Sequence, residues 1–192
     1  MTKRPALSPT TATSRIAPIH RRSWWQRALR VLRHRWMDAA DARRAVPPEL
    51  LKRLGDYVSA SEARHSGEVR ICVESALPSS YIWRDAVPRE RAITLFGKLR
   101  VWDTEHNNGV LIYLLLAENA IEIVADRALN TLVSAQEWQK IAANMAVAFK
   151  AQHFEAGLTQ ALEEVSALLV QHFPLKPGQQ RRNELPDTPF MN

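Results

Sequence analysis

Glu68, then Asp103, Glu105, Asn107 and Asn108, then Asp126 occupy three short polar stretches far apart in this 192-residue chain. Carboxylates and amide carbonyls are the oxygen ligands that a hard cation such as calcium collects, about six to eight at a time. If the fold brings the three stretches together, they offer a calcium site with His65 and His106 beside it. The segment is not an EF-hand. Asp103, Glu105 and Asn107 match the first, third and fifth loop positions, but Asn108 stands where the sharp turn needs Gly and Leu114 where a bidentate Glu is needed. The same residues also suit phosphomonoester hydrolysis. Asp103, or a metal-bound water, would attack phosphorus, with Asp126 in the same set and Arg127 neutralising the transferred group. Against both stands the ordinary use of loop Asp and Asn, which turn the chain by hydrogen-bonding their own backbone. Arg127 has a plain role open to it too, pairing with Asp126 or a helix end.

Other chemistries lack their residues. There is no phosphate-cradling Gly-rich loop, no Gly-x-Ser-x-Gly and no His-Glu-x-x-His. The six histidines never fall three or four apart, so no zinc site is expected, nor any organic cofactor. Cys72 is the single cysteine, which rules out an intrachain disulfide, fits a reducing compartment, and falls inside an expected buried strand.

The elements that must position these residues follow from hydrophobic period. Glu68 to Glu74 alternates, with Val69, Ile71 and Val73 on one face, as in a strand. Gly109 to Leu116 is an unbroken apolar run, expected where both faces of a sheet are covered. Between them Pro88 opens a helix with Ala92, Leu95, Phe96 and Leu99 on one stripe, and Glu118-Asn119 turns the chain into a third strand, Ile121 to Asp126. A helical crossover makes the first two strands parallel, and the tight turn makes the third antiparallel to the second. Helices from Pro48 (Leu51, Leu54, Val58), from Ser134 with its capping-box Glu137 (Trp138, Ile141, Met145, Phe149) and from Phe154 (Leu158, Leu162, Val165, Leu169) can cover both faces. The expected fold is a three-layer α/β/α sandwich around a small mixed sheet of strand–helix–strand–strand order. This topology carries the starts of strands one and two and the end of strand three to one rim, where the polar stretches meet. Glu74 and Glu118 go to the opposite rim, where open α/β sheets often bind ligands; Glu74 reads more simply as a solvent-facing strand residue.

His65-Ser66-Gly67-Glu68-Val69-Arg70, Trp102 to Ile112 with its Asn107-Asn108-Gly109-Val110-Leu111, and Glu122 to Arg127 together resemble the TPM domain family over about residues 45–172. The resemblance implies the α/β/α fold and a choice among acid phosphatase, calcium-binding module and assembly factor for membrane complexes.

Charge divides the chain. Residues 1–45 hold eleven basic residues against two acidic, a net of +9, and the remainder 15 against 18, a net of −3. Nucleic-acid binding by the acidic body is therefore not expected; a divalent cation suits it better. Residues 1–22 read as a disordered basic tail, 23–44 as an amphipathic basic helix, 45–172 as the α/β domain and 173–192 as a polar C-terminal tail. In the helix, Trp25, Leu29, Leu32 and Trp36 form one stripe, with Trp24 next to it and Arg27, Arg30 and Arg33 largely on other faces. Such a helix suits an anionic membrane surface or a groove on a protein partner. The preferred expectation is that the stripe packs on the domain. With no apolar run of about twenty residues and no secretory apolar block, a cytoplasmic protein is expected, the inner face of a membrane remaining open to it.

Overall fold

In the computed structural model, residues 23–37, 39–151, 153–175, 178 and 183–192 are described. The expected tail over 1–22 lies outside them. Strand β1 (Val69–Glu74) pairs in parallel with β2 (Val110–Leu115), and β2 pairs antiparallel with β3 (Ala120–Ala125). The β2–β3 connection is one 3-10 turn, Leu116–Glu118, closed by Asn119 at φ 48°. Asn tolerates that left-handed conformation because its short side chain bonds locally. Chain direction is thus as the hydrophobic pattern implies.

Alternation along the strands divides the core into two layers. Val69, Ile71 and Val73 of β1, with Val110, Ile112 and Leu114 of β2, face α3 (Pro48–Glu62), α7 (Ala135–Lys150) and α8 (Phe154–His172). Cys72, Leu111, Tyr113 and Leu115 face α5 (Pro88–Lys98) and Leu185. β2 is therefore covered on both sides, and each of its fully buried Leu and Ile side chains contributes roughly 1.5–3 kcal/mol. Ser134 caps α7 as its spacing implies: Glu137 N–H donates to the Ser134 hydroxyl, and Ser134 N–H to the Glu137 carboxylate.

Two segments differ from expectation. The basic helix is two helices, α1 (Trp24–Trp36) and α2 (Ala39–Ala45), because Met37 turns extended at φ −88°, ψ 115°. The C-terminal stretch is not wholly a loop. Phe190–Met191 forms β4, parallel to β1, giving the sheet order β3-β2-β1-β4, and Leu185 is buried against the second face. Short helices α4 (Ser79–Trp83) and α6 (Arg127–Leu132) complete the described elements.

Candidate functional site

The rim where β1 and β2 begin and β3 ends is stitched by backbone. Val69 pairs with Val110, and Val110 with Ala125. Val110 N–H donates to Glu68 O at 2.8 Å, Asp126 N–H to Gly109 O at 2.9 Å and Ala128 N–H to Asn107 O at 3.1 Å. The loop feeding β2 is tight. A methyl group built on Gly109 would stand 2.0 Å from the Val101 carbonyl oxygen, so only glycine allows this approach. Asn107 sits at φ 51°, and Thr104 Oγ1 accepts from Asn108 N at 3.1 Å.

Within this frame the six expected ligands separate. Asn108 is 0% exposed; its amide nitrogen donates to Ser66 Oγ at 3.4 Å, while its Oδ1 is buried with no hydrogen-bond partner. Asp126 is 6% exposed. One carboxylate oxygen accepts from Arg127 N at 2.6 Å, capping α6, and Oδ2 is buried without a hydrogen bond. Asn107 Oδ1 accepts from Arg127 Nη2 at 2.6 Å, and Arg127 also lies 3.9 Å from Asp126. Glu68 is buried and accepts at 3.3 Å from the backbone N–H groups of Glu184 and Leu185, so it ties down the C-terminal segment. Asp103 is exposed and paired with Arg100; Glu105 is exposed and its N–H donates to Glu184. His65 is buried with Nδ1 3.0 Å from Gly67 O, whereas His106 is exposed. Among the described residues, no three His, Cys, Asp or Glu side chains are grouped so as to hold a metal ion.

The opposite rim carries charges that are used up. Glu74 is not solvent-facing: its carboxylate accepts from Arg91 Nε at 2.9 Å, from a second Arg91 nitrogen, from the Tyr113 hydroxyl at 2.9 Å and from Asn192 Nδ2 at 2.8 Å. Period-two alternation hid this, because the face opposite Val73 is roofed by α5, which carries Arg91. Burial raises the Tyr113 hydroxyl well above its ordinary range, with the Glu74 charge adding to it. Burial, again helped by Glu74, pushes the Cys72 thiol up to about 12, which keeps it inert.

Glu118 binds α1. Its Oε1 accepts from Arg30 Nε at 2.7 Å and from His34 Nε2 at 2.9 Å, while Arg30 also donates to Asp85 at 3.0 Å and to Ala86 O at 2.6 Å. Leu77 N–H donates to His34 Nδ1 at 3.0 Å, which fixes the neutral ring with its proton on Nε2. Burial works to raise Glu118, but the hydrogen bonds from His34 and Arg30 outweigh it and hold the carboxyl below its ordinary value. The helix therefore docks by its polar side. Arg30 and His34 are buried, whereas Trp24, Trp25, Leu29, Leu32 and Trp36 are exposed. The expected packing of the apolar stripe onto the domain is reversed, and Arg30 is withdrawn from any outside contact. Arg27 and Arg33 remain exposed, Arg27 donating to Trp83 O.

The TPM domain profile matches residues 40–168, two-thirds of the chain. The chain belongs to the TPM domain family. As a TPM domain it also resembles the BA42 protein of the psychrophilic bacterium Bizionia argentinensis, whose NMR structure superposes with a TM-score of 0.66 at 27% identity, covering 77% of this chain and 95% of that one. No curated protein matches it. The rim built by Asn107 to Gly109 and Asp126 lies inside the matched TPM region, while α1 precedes it. No helix among the described residues is long and apolar enough to cross a membrane.

Proposed function

We propose that this TPM domain is a binding module whose first rim takes a divalent cation, calcium being the best fit. Two buried acceptor oxygens without hydrogen bonds, Asn108 Oδ1 and Asp126 Oδ2, carry this reading. A buried acceptor left unmade costs about 1–3 kcal/mol, and a hard cation supplies what both lack. The donor set is oxygen only, with Asn107 beside it and Asp103 and Glu105 on the loop that leads in. Asp103 can swing from Arg100, because such exposed pairs are weakly held, and the Glu105 side chain is exposed. With Asp126 the one carboxylate among the two buried donors, the affinity is modest. The site binds; it needs no reaction step, and a cytoplasmic setting fits the reduced Cys72.

A calcium titration followed by amide NMR tests the reading. Shifts centred on Asn107 to Gly109 and Asp126, lost in Asp126→Ala, are the expected result. Shifts confined to Glu74 and Glu118, or none at millimolar calcium, overturn it. The phosphomonoesterase alternative has less support, since the would-be nucleophile Asp103 faces Arg100 and Arg127 is engaged by Asn107. Hydrolysis of a generic phosphomonoester, abolished by Asp103→Asn, would restore it.

A further inference from the structure

Helix α1 inverts the usual logic of an amphipathic helix. At about 100° per residue, Trp24, Ala28, Leu32, Trp25, Trp36 and Leu29 fill one arc, and Arg30 and His34 lie roughly opposite its centre. The polar side is the anchored side, held by Glu118, Asp85 and two backbone groups from distant parts of the chain. The apolar side looks outward, with Trp25 63%, Leu29 66% and Trp36 77% exposed. The Trp24 and Trp25 rings stack on each other, their centroids 3.5 Å apart, rather than on the domain. Leaving such a surface in water is unfavourable, and its anchoring by buried ion pairs means it is presented outward by construction.

Charge indicates the occupant. Helix α1 has no acidic residue in its first turn and carries Arg33 and Arg35 in its last; Arg33 borders the apolar arc beyond Leu29, and Arg35 falls at the Trp24 end of the arc. The 22 residues before Ser23 add five cations and no acid. Arg27 holds the carbonyl of Trp83, a further exposed indole that belongs to α4. Tryptophan at an apolar–polar boundary, a leucine stripe and a helix whose own charged side chains are all cationic match the interface of a negatively charged bilayer. A 13-residue helix is about 20 Å long, too short to span a membrane and suited to lie along one.

We propose that the outward face of α1 docks the domain on an anionic phospholipid bilayer, with Trp24, Trp25, Leu29, Leu32 and Trp36 in the headgroup boundary and Arg33 and Arg35 against lipid phosphates. This is independent of the cation rim, which lies at the other end of the strands. The test is co-sedimentation of the full chain with vesicles of phosphatidylcholine alone or mixed with phosphatidylserine, alongside light scattering without lipid. The chain should bind the mixed vesicles with a blue shift of tryptophan emission, weaken as salt rises, and leave neutral vesicles in the supernatant. Leu29→Glu with Leu32→Glu, both at exposed positions, should lower partitioning on the order of tenfold or more while leaving the amide NMR fingerprint of the sheet unchanged. Arg33→Glu with Arg35→Glu should abolish the preference for phosphatidylserine. No binding to either vesicle, equal binding to both, or unchanged binding by the leucine variant overturns the proposal. So does dimerisation without lipid that the leucine variant abolishes, which would assign this face to a second copy.

Discussion

The two rims of the sheet hold similar residue types in opposite conditions. At the ends of β1 and β2, Glu74 and Glu118 have cationic and neutral donors arranged around them, and every contact joins elements distant in sequence. At their beginnings, Asn108 and Asp126 are as well buried, yet each keeps one oxygen without a hydrogen bond. A satisfied buried carboxylate holds structure together. An unsatisfied one is an invitation, since the fold has already borne the desolvation and a ligand collects the return. The position of a carboxylate therefore says less about its task than the inventory of donors around it.

The sharpest way to break this contrast is at Glu74. Glu74→Ala strands the Arg91 guanidinium in the core and should cost about 3–5 kcal/mol in urea unfolding, whereas replacing both partners by leucine should recover much of that. A loss under about 1 kcal/mol for Glu74→Ala would show that the second rim is not structural. Glu118→Gln should cost about 2 kcal/mol and speed amide exchange across α1 ahead of the sheet; unchanged protection over Trp24–Trp36 would mean that the ion pairs do not anchor the helix. Acid should act on the same anchor more gradually. Because the folded-state value of Glu118 is depressed, its charge stabilises the fold above the ordinary carboxylate range of about 4.3, and that contribution fades as pH falls through the lower folded value. Tryptophan emission should report α1 loosening only below that range, and Glu118→Gln should remove the transition. The smallest effect belongs to the first rim. Asparagine caps a helix about as well as aspartate, so Asp126→Asn should shift stability by less than about 1 kcal/mol while abolishing any calcium-linked rise in melting temperature.

Much of the scaffold was legible because period and connection length decide it. The apolar run from Val110 to Leu115, the alternation over Val69 to Val73 and the tight link at Asn119 imply the strand directions, and these gather Glu68, Asn108 and Asp126 at one rim. Phe190–Met191 was not legible, for two residues carry no periodicity. Amphipathicity located α1 but could not say which side faces the domain. That is decided by Glu118 and Asp85, more than fifty residues away, whose charges match Arg30. Glu68 and Glu74 were misjudged for one reason: their partners, Leu185 N–H and Arg91, sit on elements whose placement over the sheet is a tertiary fact.

The contact between Gly109 and Val101 has a kinetic side. It pins both ends of the seven-residue stretch between them, and because Gly109 leads directly into strand β2, the loop cannot slacken without disturbing the start of that strand. The cation proposed for this rim would meet a backbone already in its final shape, so its capture should be timed by diffusion, by the shedding of its hydration water and by the fast turning of the exposed Asp103 and Glu105 side chains, with no backbone rearrangement.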